Sequence, residues 1–236
     1  MSKDKKVAII TGASQGMGAA LVKAYRDRDY RVVATSRSIT QGSDPDVVAV
    51  AGDIGTAATA EKVVQTALQR FGRVDTLINN AGIFISKPFH EYSEEDFNAK
   101  ISTNLAGFFH ITQRAIGEML KAGHGHVVTI TTSLTDNATS LFPTGLANLT
   151  KGGLNSVTKA LAIEYAKRGI RFNAVSPGVI KTPMHSPETH EFLGSTHPLG
   201  RMGELKDIVD GVLYLESAGF VTGEILHVDG GQSAGR

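Results

Sequence analysis

Short apolar runs alternate along this chain with longer segments in which apolar residues recur at helical spacing. Val7-Ala8-Ile9-Ile10 is the first run, and Met17, Leu21, Ala24 and Tyr25 then mark one face of a helix. Arg31–Ser36 and Val47–Val50 read as the next two strands, the second running on to Gly52-Asp53-Ile54. In Ala57–Phe71, the spacing of Val63, Val64, Ala67, Leu68 and Phe71 predicts an amphipathic helix. Thr76-Leu77-Ile78 is a fourth strand entering Asn79-Asn80-Ala81-Gly82. Helical periodicity then dominates from Ser93 to about Leu120, and Ser93 with Asp96 has the spacing of an N-cap and an acidic first turn.

The second half repeats the alternation. His126–Ile130 is a fifth strand leading to Thr131-Thr132-Ser133, and a long helix is expected from about Thr144 to Lys167, with Pro143 suited to its start. Ile170–Val175 is a sixth strand, expected to stop at Pro177-Gly178. Residues 184–199 are polar and rich in histidine and proline, and a lid is expected over about 183–200. A helix near Glu204–Glu216 and a strand Glu224–Val228 close the chain. Strands alternating with helices, without hairpin signals, predict a single α/β domain over residues 1–236. Its doubly wound, mostly parallel, seven-stranded sheet is covered by helices on both faces.

Composition narrows the function classes. With 236 residues, 41% hydrophobic and 20% charged, the chain suits one globular core. A net charge of +1 gives neither a nucleic-acid footprint nor a polybasic membrane patch. There are no cysteines, which excludes disulfides, thiol catalysis and thiolate metal sites and fits a reducing compartment. No apolar run approaches the ~18 residues of a membrane span. The charged start, Met1 to Lys6, precedes an apolar stretch too short for a signal peptide, so a cytoplasmic protein is expected. The histidines lack metal-binding spacing, and no metal site is expected.

Chemistry enters at Thr11-Gly12-Ala13-Ser14-Gln15-Gly16-Met17-Gly18. Strand, glycine turn and helix together can hold a dinucleotide pyrophosphate: Gly12 permits the turn, Gly16 lets backbone approach phosphate, and Gly18 lets helix pack on strand. The free N–H groups at the helix start then face the anion. At the end of the second strand, where an acidic residue usually grips the ribose 2′-hydroxyl, stand Ser36 and Arg37. A guanidinium pairs with a 2′-phosphate where a carboxylate would repel it, so NADP(H) is favoured over NAD(H), with Asp44 and Asp46 nearby to complicate the preference.

Along nearly its whole length the chain resembles the short-chain dehydrogenase/reductase family. The resemblance is carried by the glycine turn, Asp53, Asn79-Asn80-Ala81-Gly82, Asn104, Lys151, Pro177-Gly178, Thr182 and Val228-Asp229-Gly230-Gly231. It implies a Rossmann-type fold. The cofactor would be held by Gly12, Ser14, Gln15, Gly16, Met17, Gly18, Ser36, Arg37, Asp53, Ile54, Asn80, Ala81, Gly82, Lys151, Pro177, Gly178 and Thr182. Asp53 would bond the adenine, Asn104 would anchor a water in a proton relay, and Thr182 would meet the carboxamide. Lys151 would bind the nicotinamide ribose and lower a neighbouring pKa. Hydride would pass between the B face of the nicotinamide and a carbonyl or alcohol.

One departure matters. The family's acid/base is a tyrosine four residues before the lysine, and that position is Ala147. A methyl group neither donates nor accepts a proton. A positioned general acid is typically worth ~100- to 10,000-fold. Thr144, a water held by Asn104 and Lys151, and His185 are the candidate substitutes. The hydroxyl that steadies the carbonyl oxygen falls on Thr132 or Ser133, with Ser133 preferred. The leading expectation is an NADP(H)-preferring oxidoreductase acting on a small carbonyl or secondary alcohol through an altered proton relay. A catalytically silent cofactor-binding regulator or partner subunit is the alternative, and a non-redox reaction on the same scaffold a third. Leu154, Val157, Leu161 and Ile163 give the long helix more apolar surface than one sheet face needs, and the resemblance implies a homotetramer or dimer that buries the excess.

Overall fold

The computed structural model describes residues 5–235, so the first four residues of the charged start lie outside the described residues. The seven strands are β1 Val7–Thr11, β2 Arg31–Ser36, β3 Val47–Ala51, β4 Thr76–Asn79, β5 Gly125–Ile130, β6 Ile170–Pro177 and β7 Ile225–Val228. They form one sheet in the order β3-β2-β1-β4-β5-β6-β7, every pairing parallel. Parallel neighbours need crossovers, supplied by α1 Gly16–Asp27, α2 Ala57–Phe71, α3 Glu94–Lys100, α4 Gly107–Ala122, α5 Gly145–Tyr165, α6 His190–Ser195 and α7 Leu205–Ser217. Burial explains the unbroken apolar runs. Along β1, Val7 and Ile9 enter the core under α2 and α4, while Ala8 and Ile10 enter the opposite core under α1 and α7.

The strand order reverses between β1 and β4, and in such sheets the ligand crevice opens at the carboxyl ends beside that switch. Local signals fix the helix ends there. Thr56 accepts from the Thr59 N–H to cap α2, and Gly72 closes that helix with φ +81°. Ser93 and Asp96 form the expected capping box of α3. No helix among the described residues is long and apolar enough to cross a membrane.

Three segments depart from the sequence reading. The helix from Ser93 onward is broken at Ile101–Ala106 into a π segment carrying Asn104, because its backbone bonds there reach one residue further. β6 runs two residues past Val175, to Pro177, and Gly178 N–H donates to Val228 O at 3.2 Å. The polar lid holds a 3-10 turn at Pro187–Thr189 followed by α6, and buries His197.

Candidate active site

The glycine turn is built by steric necessity. Gly12 has φ +65°, and a Cβ there would stand 2.8 Å from Ala81 Cα. A Cβ on Gly18 would stand 2.2 Å from Gly12 O and 2.7 Å from Asn80 Nδ2. Two side chains lock this crossing of β1 and the loop after β4. Asn80 Nδ2 donates to Thr11 O at 2.9 Å and to Gly12 O at 3.1 Å. Thr11 Oγ1 accepts from the N–H groups of Asn80 and Ala81, both at 3.0 Å. Gly16 has φ +56°, and its missing Cβ would face Thr182, 3.5 Å away. The turn therefore faces Thr182 across a gap where a side chain would intrude. Gln15 caps α1 without a side-chain bond, which leaves the helix start to its own N–H groups. These features fit a pyrophosphate: bare backbone, a helix N-terminus and no acidic residue in the first turn.

At the end of β2 the Ser36 hydroxyl is buried without a partner among the described residues, and Arg37 is exposed. Asp44 and Asp46 are occupied elsewhere, Asp44 with Arg26 at 2.8 Å and Asp46 with Lys5 and Arg26, both at 3.1 Å. Their charge is compensated by those cations. Asp53 accepts from Gly55 N–H at 2.9 Å, and Ile54 is buried against the start of α4. Ser14 and Gln15 are exposed, Met17 is half-buried, and Pro177 and Gly178 form the end of β6 beside β7. A separate cleft of about 410 Å³, lined by Ile180, Arg201, Asp207, His227 and Asp229, shares only Gly178 with the residues expected at the cofactor.

Lys151 and Asn104 do come together. Lys151 Nζ donates to Ile130 O at 2.6 Å, and a Cβ on Gly82 would lie 3.1 Å from that Nζ and 3.4 Å from Asn104 Oδ1. Burial, and then the nearby charge of Lys100, push the Lys151 ammonium down to about 8. Asn104 is a brace. Its Oδ1 accepts from Ile83 N–H at 2.9 Å, and its Nδ2 donates to Ile83 O at 3.2 Å and Thr150 Oγ1 at 3.3 Å. The side-chain amide is thus committed at both ends to holding the loop after β4 against α5.

The two candidate hydroxyls, Ser133 and Thr132, differ in their surroundings. Ser133 is fully buried and its hydroxyl donates to Gln232 Oε1 at 2.6 Å, so its proton is used. Thr132 is half-buried and its Oγ1 accepts from Leu134 N–H at 3.4 Å, which leaves the hydroxyl proton uncommitted. Ala147 is 1% exposed, and Thr144, one turn earlier, accepts from Asn148 Nδ2 at 3.2 Å. His185 sits half-buried in the lid, its pKa lowered by burial and by His190. His197 is a structural group: Nε2 accepts from Val179 N–H at 2.9 Å, which leaves Nδ1 to donate to Leu193 O at 3.0 Å.

Sequence reasoning missed Lys100. It is 0% exposed, its Nζ makes no hydrogen bond among the described residues, and the Phe84 ring lies 5.1 Å away. A signal existed, because Lys100 lies four residues before Asn104, on the helix face that must look inward.

The comparisons agree with this architecture. A family model described as Enoyl-(Acyl carrier protein) reductase matches residues 12–233. A curated relative, the (2S)-[(R)-hydroxy(phenyl)methyl]succinyl-CoA dehydrogenase subunit BbsD of Thauera aromatica, is 36% identical over 99% of this chain and 98% of its own length. Among solved structures, ElxO with NADP bound superposes with a TM-score of 0.89 at 31% identity, covering 98% of this chain and 100% of that one. A 3-ketoacyl-(acyl-carrier-protein) reductase from Brucella melitensis complexed with NADH gives 0.90 at 31% identity, with the same coverage.

Proposed function

Because the chain belongs to the short-chain dehydrogenase/reductase family and is an NAD(P)-dependent oxidoreductase of that type, we propose that it reduces a small carbonyl, or oxidises the corresponding secondary alcohol, with NADP(H) preferred. The observation that carries this reading is the glycine turn, where Gly12 and Gly18 leave no room for a side chain and Gly16 opens toward Thr182. Once bound, the nicotinamide supplies the hydride. The chain's own groups do the rest. Lys151, fixed on Ile130 O beside Gly82, holds the ribose end, and its charge favours an anionic oxygen nearby. The hydroxyl of Thr132 donates to the substrate oxygen in place of Ser133. Residues 183–200 close over the substrate as a lid. Absence of NADPH oxidation across a panel of ketones, diketones and aldehydes, with NADPH bound, would contradict this reading.

Cofactor choice rests on Arg37 and the paired state of Asp44 and Asp46. Arg37→Ala is expected to weaken NADPH about tenfold, the size of one charge-assisted contact, and to leave NADH unchanged. Nicotinamide fluorescence titrations check this; equal losses for both cofactors would contradict it. One observation favours a second reading, a cofactor-binding subunit without turnover: a buried methyl group stands at position 147 where the acid is expected. That reading gives tight NADPH binding and no product. Assembly as a dimer or tetramer draws support from Phe109 on α4 and from Leu149 and Ile163 on α5, exposed by 55%, 55% and 82%. Of the stripe expected there, Leu154 is instead buried, and Val157 and Leu161 are half-buried.

A further inference from the structure

We propose that Lys100 is the proton donor to the carbonyl oxygen in this chain, standing where the residue at 147 provides no acid. The inference rests on the oxidoreductase reading above. It begins from register. The segment α3–π–α4 connects β4 to β5 and α5 connects β5 to β6, so both run opposite to the same parallel strands and hence parallel to one another. Both cover the same core, and α5 packs against α3 and the π segment. The bond from Asn104 Nδ2 to Thr150 Oγ1 sets the two level at 104 and 150. One turn back along each, Lys100 stands level with Leu146 and Ala147. The lysine thus occupies the tier of the missing acid.

Its surroundings leave its protons free. Lys100 Nζ is buried and donates no hydrogen bond among the described residues. The nearest acid on its own helix face, Asp96, is held by Lys87 at 2.6 Å and by the Ser93 N–H at 3.1 Å. Tyr92 donates its hydroxyl to Ile85 O at 2.9 Å. On α5, Lys151 is a second cation, and its ammonium is pushed down in part by the charge of Lys100. A buried ammonium without a counter-ion gives up its proton readily, and burial brings Lys100 down to about 8. Phe84, directly after the Ile83 that Asn104 clamps, lays its ring 5.1 Å from Nζ and is itself 38% exposed. A substrate carbonyl that displaces this ring meets unused N–H groups. The exchange balances: an Nζ–H bond breaks and an O–H bond forms on the carbonyl oxygen, while the carbonyl carbon takes its electron pair as hydride from the reduced nicotinamide. The neutral amine then recovers a proton from water.

Two measurements test this. In the native protein, the Lys100 Nζ nitrogen, assigned by its loss in Lys100→Met, is expected to titrate near 8 by NMR. A nitrogen that stays protonated above about 10, the ordinary lysine range, overturns the proposal, and Lys100→Arg supplies the assignment where Lys100→Met does not fold. In NADPH oxidation with a vicinal diketone as probe, Lys100→Met is expected to lower kcat ~100-fold or more and to move the limb of the pH profile near 8 upward, since it also removes the cation that lowers Lys151. Lys100→Arg should lower kcat likewise, since a guanidinium keeps its proton. Ala147→Tyr in the Lys100→Met background should restore turnover. A native chain that turns over while Lys100→Met stays within about threefold with an unchanged pH profile overturns the role of Lys100 alone. A native chain that binds NADPH and reduces none of the panel overturns that role and the oxidoreductase reading together.

Discussion

Gly18→Ala is expected to weaken NADPH binding at least ~100-fold, with loss of all turnover at ordinary cofactor concentrations. The added methyl group would lie 2.2 Å from Gly12 O, and backbone there has no slack because Asn80 Nδ2 already bonds that oxygen at 3.1 Å. Either α1 moves off β1 or the turn opens, and in both cases the N–H groups leave the anion. Folding should survive, with about 1–3 kcal/mol lost to overpacking. Gly117→Ala on α4 is the control: nothing lies within 4 Å of its missing Cβ, so it should bind NADPH normally and gain ~0.5–1 kcal/mol from helix propensity. Fluorescence titration and thermal melts of the two variants separate the steric effect from a general glycine effect. Equal binding by both would contradict the cradle.

The second large effect lies at the opposite end of the sheet. Glu216 on α7 is 7% exposed in its side chain and accepts from Tyr30 at 2.9 Å, Tyr25 at 3.1 Å, Thr76 at 3.0 Å and His126 Nδ1 at 2.8 Å. Asn173 Nδ2 donates to His126 Nε2 at 3.1 Å, so the imidazole is neutral with its proton on Nδ1. Burial alone would raise the Glu216 pKa, but the bonds from His126, Tyr30 and Thr76 outweigh it and hold the carboxyl at about 2. Glu216→Gln puts an amide where four donors converge and is expected to cost about 3 kcal/mol, a melting temperature ~6–12 °C lower. The sign with pH follows. A carboxyl held below its unfolded value of 4.5 contributes stability above that pH and loses it as pH falls toward about 2. His126, held below 6.5 by burial, opposes protonation in the fold and adds to the acid loss below that value. Denaturant unfolding of native and variant chains from neutral to acid pH should show the gap narrowing below about 4.5. A constant gap would mean that Glu216 acts by shape alone.

Most of the frame was legible in the residues. Unbroken apolar runs such as Val7–Ile10 mark strands buried on both faces, and the parallel sheet of seven strands follows. The glycine turn, Asn80 and Lys151 fall together because β1, β4 and β5 are neighbours with carboxyl ends on one side. What escaped depends on contacts distant in sequence. The bond from Ser133 to Gln232, 99 positions later, is one of them. The π segment at Asn104 lacks a glycine or proline to announce it, and its apolar period continues through the break. Lys100 looked like one more charged residue on a helix. The tie between Asn104 and Thr150 gives the register of its helix against α5. Arg37 is exposed at the end of β2.

The central claim is that this chain transfers hydride although position 147 carries only a methyl group. Incubation with NADPH deuterated on the B face, a vicinal diketone and the native protein, followed by mass spectrometry of the alcohol, addresses it directly. One deuterium is expected on the carbinol carbon of the product. Undeuterated substrate recovered intact, from protein that has demonstrably bound NADPH, would contradict it.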